Sequence, residues 1–142
     1  MKTLFIAVAV ALSCIAGKRI QIVTDNSVDN FIDFIANKNS TTAIEGVWIT
    51  QKRDSKIEIS MEQDSSYSGK LVWVAAPYKE FTGKYILKGI KYNKSTGNFT
   101  CPWIYDPKLN VTAKGTARIS GDTLYLQAHK GIFTRNEIFL KE

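Results

Sequence analysis

The chain has 142 residues, of which 44% are hydrophobic and 11% aromatic, and its formal charge is +6. That length suits one domain with a sizeable core, and that composition excludes a disordered chain. Two cysteines exclude a disulfide framework, and a single histidine without partners at ligand spacing argues against any metal site, so no cofactor is expected.

The first predicted element is a secretion signal over residues 1–16. Lys2 gives a basic start, and Leu4 to Leu12 form an apolar run too short to span a bilayer. Cys14-Ile15-Ala16 then offers small residues for cleavage after Ala16. Cys14 adds a second reading. "ALSC" (11–14) partly resembles a bacterial lipoprotein box, with Ala11 where leucine is expected. Under that reading Cys14 is lipidated and tethers the protein to a membrane, and membrane contact is expected only through that anchor.

Residues 17–44 read as a leader with a short amphipathic helix and a linker. In "NSVDNFIDFIANK" (26–38), Val28, Phe31, Ile32 and Ile35 fall at helical spacing. Asn26 or Ser27 serves as the cap, and Asp29 suits the first turn. The apolar face is expected to pack on the domain, for instance as a plug over one end. "NKNSTT" (37–42) is the linker.

From residue 45 the hydrophobic period becomes two, and residues 45–142 read as an all-β domain. Strands are expected near 46–52, 56–62, 67–75, 84–92, 98–105, 109–119, 122–129 and 132–140, separated by polar turn formers such as "NKSTG" (93–97) and "SGD" (120–122). In "NVTAKGTARIS", Val111, Ala113, Gly115, Ala117 and Ile119 share one face and Thr112, Lys114, Thr116 and Arg118 the other. Eight antiparallel strands joined by short loops predict a closed barrel, with an open sandwich as the alternative. Such a barrel is just wide enough to be filled by side chains or to hold one small ligand. The small residues at 113, 115 and 117 either leave space or admit Trp73, Phe99 and Trp103 from neighbouring strands.

Gly46-x-Trp48 at the first strand, the eight-strand pattern and Arg135 in the last strand together resemble the lipocalin-like (calycin) barrel. The resemblance implies that Gly46 bends the chain at the barrel mouth and Trp48 closes the floor. It also implies that Arg135 lies across the indole by stacking and cation–π attraction. Over residues 45–141 the chain more closely resembles the small exported bacterial proteins grouped as domain of unknown function 2147. "GVWIT" (46–50), "YSGKLVWV" (67–74), "WIYDP" (103–107) and "GDTLYL" with "GIFTRNEIFLK" (131–141) carry that resemblance. The chain departs from the family pattern at Cys101-Pro102-Trp103, in the brief "APYKEFTGK" (75–83), and at Phe139-x-Lys141, where a Trp-x-Arg is usual. The resemblance implies a fold and an exported location in the periplasm or envelope of a bacterium, and no catalytic residues.

The chemistry of the chain agrees with that silence. His129 is the sole histidine, there is no Gly-x-Ser-x-Gly, and the glycines are scattered. Glu58, Glu62 and Asp64 sit on expected outer faces and turns. Asp106 with Pro107 reads as an Asx-type turn. Lys79, Lys84, Lys88, Lys91 and Lys94 read as a solvated face, so nucleic acid is not expected. Sequons at Asn39, Asn93, Asn98 and Asn110 carry little meaning in a bacterial protein. No enzyme is expected. The first functional reading is a binding module for a small hydrophobic or amphipathic molecule, lined by Trp73, Tyr85, Trp103, Tyr105 and Phe133. The alternative is a filled barrel in which those residues are core and a protein partner, unidentified from sequence, meets the outside. An internal cavity separates the two.

Overall fold

The computed structural model describes Ile32, Ile35 and residues 43–142. The signal segment with Cys14, the helix caps and the linker lie outside the described residues. Of the expected helix, Ile32 and Ile35 are described, and both are helical.

The domain has eight strands: β1 Gly46–Thr50, β2 Ser55–Met61, β3 Tyr67–Val74, β4 Tyr85–Asn93, β5 Asn98–Asp106, β6 Val111–Ser120, β7 Thr123–Lys130 and β8 Phe133–Lys141. Each pairs antiparallel with the next, and β1 pairs with β8, so the sheet closes into a barrel. The sandwich alternative is thereby set aside. The alternation in β6 works as the residue types require: Val111, Ala113, Gly115, Ala117 and Ile119 are sheltered while the residues between them are exposed.

An up-and-down barrel puts alternate connections at opposite ends. One end, here the closed end, gathers the β2–β3, β4–β5 and β6–β7 turns and the start of β1. Its interior is filled by Trp48, Ile57, Ile59, Ile90, Phe99 and Leu124, each at most 2% exposed. Trp48 Nε1 donates to the Ile44 carbonyl at 2.9 Å. Phe99 meets Tyr67 and Tyr92 edge-on, at centroid distances of 6.3 and 5.2 Å.

The partner of Trp48 is not Arg135. Lys141 Nζ sits 4.4 Å from the indole centroid and also donates to the Glu45 carbonyl. Register decides this. Trp48 lies opposite Lys141, whereas Arg135 lies roughly 20 Å further along β8 at about 3.3 Å per residue. Gly46 likewise belongs to the closed end and not to the mouth. Its φ is +120°, and a Cβ there would stand 3.0 Å from Lys141 Nζ, so glycine serves both the backbone and the lysine.

Two irregularities redirect the tryptophans expected inside. Between β2 and β3, Lys56 faces Trp73 while Ile57 faces Leu71, which leaves one extra residue on β3. Between β5 and β6, Cys101 faces Gly115 while Ile104 faces Ala113, which leaves one extra on β5. An extra residue shifts side-chain parity by one. Leu71 and Val74 therefore point inward with Trp73 42% exposed, and Cys101 and Ile104 are buried while Trp103 faces out. Of the aromatic residues expected to fill the barrel, Phe99 does so, against Ala117.

Candidate functional site

At the other end the barrel is not filled. A cavity of about 610 Å³ opens among the β1–β2, β3–β4, β5–β6 and β7–β8 connections. That volume lies within the usual span of small-molecule sites, roughly 300–1,000 Å³. The space follows from side-chain size. Ala113 on β6 and Ala128 on β7 supply inward methyl groups where the closed end has rings and branched chains. The walls are apolar, built from Leu71, Val74, Ile86, Ile104, Leu126 and Phe139.

Along β8 the cavity-lining positions run Phe139, Glu137, Arg135 and Phe133 from depth to rim. The apolar interior thus meets charge as it nears solvent. Arg135 Nη1 donates to Asp106 Oδ2, and its Nη2 lies 3.6 Å from Glu137 Oε2. Asp106 has a second duty: its Oδ1 accepts the Lys108 and Leu109 amides at 2.9 and 3.2 Å. That is the Asx-type turn that the sequence predicts. Another lining carboxylate, Asp54, accepts the Thr50 hydroxyl at 2.7 Å. That bond, with smaller help from Lys108 and Ser55, outweighs partial burial and holds the Asp54 pKa below its ordinary 3.8. Lys108 stands 4.4 Å over the Tyr78 ring, which stacks on Phe81. Lys52 and Lys130 also line the mouth, and among the described residues neither has an ion-pair partner.

The five aromatic residues expected to line a pocket divide. Phe133 lines the cavity at its rim. Tyr105 lies at the boundary, lining both the cavity and a shallow outer groove, and its hydroxyl donates to Asn110 Oδ1 at 3.1 Å. Tyr85 and Trp103 belong to the outer groove, where Lys88 Nζ lies 5.4 and 5.1 Å from their rings. Trp73 is also on the outside. The correction for both tryptophans is the parity shift already described. The aliphatic wall residues carry no chemical signature in the sequence. The signal that could have found the cavity was the small residues Ala113 and Ala128 on inward positions.

Other candidate chemistry stays apart from the cavity. His129 is exposed, with Nδ1 3.0 Å from Thr134 Oγ1 and Nε2 3.1 Å from Gln127 Oε1. Cys101 is buried, and burial pushes its thiol up to about 12. Among the described residues, no three His, Cys, Asp or Glu side chains gather in a way that could hold a metal ion. The chain was compared with family models, curated proteins and solved structures, and none matches it.

Proposed function

We propose that this protein is an exported, lipocalin-like binding module of the bacterial envelope, non-catalytic, which holds a small hydrophobic or amphipathic molecule in the open-end cavity. The observation that carries this reading is the cavity of about 610 Å³, with aliphatic walls and charge confined to its mouth. Apolar walls receive the hydrocarbon part of a ligand, and Lys52 and Lys130 at the rim, which have no ion-pair partner among the described residues, receive a polar head. The secretion-signal reading of residues 1–16 and the family resemblance of residues 45–141 support the location. The filled-barrel alternative fits the closed end only.

Native mass spectrometry of the protein, purified gently from the envelope fraction, tests this. A reproducible added mass that leaves on denaturation is expected, and it should be missing from Ala128→Phe. A bare wild-type mass, with no uptake of an added long-chain amphiphile, would contradict the reading. A mass that survives denaturation and maps to Cys14 would identify the lipid anchor.

A further inference from the structure

The loops at the two ends differ in kind. Between the strands, the closed-end connections carry one basic and three acidic residues, and their tips are polar: Asp64-Ser65, Ser95-Thr96 and Gly121-Asp122. The open-end connections carry five basic and two acidic residues. Two of them, β5–β6 and β7–β8, have apolar tips. Ile132 is 92% exposed in the two-residue β7–β8 turn, Phe133 beside it 75%, and Leu109 in the β5–β6 loop 66%. Turn tips ordinarily take Gly, Asn, Asp or Ser, because those residues satisfy the turn backbone. An isoleucine held almost wholly in water contributes nothing to the fold. Single exposed apolar side chains are ordinary, but apolar tips gathered on the rim of one apolar cavity mark an interaction surface.

The charges say which surface. Lys52, Lys108 and Lys130 line the same mouth. Of the acids that line it, Asp106 and Glu137 share Arg135, while Asp54 keeps its charge and accepts the Thr50 hydroxyl, so the four basic residues of the mouth outnumber the three acids. Lysines ringing protruding aliphatic and aromatic tips complement a layer with anionic head groups above hydrocarbon. We propose that the open end docks on an anionic lipid bilayer. Ile132, Phe133 and Leu109 enter the head-group layer, and Lys52, Lys108 and Lys130 face the lipid phosphates. The cavity mouth then faces the acyl chains, and a bound amphiphile passes between barrel and bilayer without crossing water. Docking stands on the rim alone, whereas the exchange rests on the binding role proposed above.

The test uses the full chain with Cys14→Ser and an environment-sensitive nitrobenzoxadiazole label at Ile132→Cys or, as the closed-end control, Ser95→Cys. Ligand-free vesicles of phosphatidylcholine alone, or with about a third phosphatidylglycerol, are added. A blue shift and intensity gain at position 132 are expected with the anionic vesicles, weakened by added salt, with no change at 95. In flotation of the unlabelled chain, Ile132→Ser with Phe133→Ser should lower the bound fraction about tenfold or more, from the apolar area lost. Any binding by residues 1–42 is common to both chains and leaves that difference intact. No shift at 132, or an equal shift at 95, would overturn the proposal. So would a label at 132 already shielded without vesicles, which would mean that residues 1–42 or a second copy cover the rim. Because these vesicles carry no ligand and the mass measurement uses no vesicles, failure of docking and failure of the binding role are separable.

Discussion

The two ends of this barrel are built on the same eight strands and do opposite things. At the closed end, inward positions hold Trp48, Ile57, Ile90 and Phe99, and the interior is full. At the open end, the same ring of strands turns in Ala113 and Ala128 and leaves about 610 Å³. An eight-strand circle therefore fixes only the radius, and side-chain volume decides whether that radius is core or pocket. Stability should concentrate at one end and binding at the other.

The largest expected effect is at the closed end. Trp48→Ala removes a buried indole, its bond to Ile44 and the ring beneath Lys141. A loss of about 3–5 kcal/mol is expected in urea denaturation, as for other buried aromatic truncations. A loss below about 1 kcal/mol would break the comparison. Next is Gly115→Ala on β6. An added Cβ would stand 1.9 Å from the Gln127 carbonyl oxygen, so backbone must move. A cost of about 1–3 kcal/mol is expected from overpacking. Ala128 lies directly across from Gly115 but lines the cavity, so Ala128→Phe grows into that space. Its stability should stay within about 1 kcal/mol of wild type, while amphiphile uptake disappears.

Smaller still is Asp106→Asn. The new side chain keeps the Oδ1 acceptor of the turn and loses the ion pair with Arg135, whose side chain is 58% exposed. About 1 kcal/mol or less is expected, since solvent screens such pairs. The smallest effect is one of pH. Because the folded Asp54 pKa is lowered from 3.8, its contribution is present above that value and is lost as pH falls from there through the lowered folded value. Asp54→Asn should lie below wild type near neutrality and converge with it in strong acid, as read from chemical denaturation at a series of pH values.

Much of the closed barrel was legible because alternation is a short-range signal. Each strand from β1 to β8 announces itself by its own residues, and "YDP" announces its own turn. The pairing of Trp48 was not legible, because register is a long-range property: only the closure of β1 on β8 places Lys141, not Arg135, over the indole. The aromatic lining was legible in part: Phe133 and Tyr105 reach the cavity, while the tryptophans miss it for a related reason. One extra residue at Val72-Trp73, and one between Cys101 and Ile104, reverses which side faces in. Pro102 is a local sign of the β5 bulge, since proline inside a strand is confined to edges and bulges, but nothing comparable marks the one in β3. Both tryptophans therefore lie outside, and aliphatic residues make up most of the inner wall.

The most direct test is a titration of the protein with a fluorescent amphiphile such as anilinonaphthalene sulfonate, run on wild type and Ala128→Phe with their unfolding curves measured alongside. Saturable one-to-one binding to wild type is expected, with loss of binding in a variant that remains equally stable. No binding to wild type, or equal binding to both, would contradict the assignment of the open end as the functional end of the barrel.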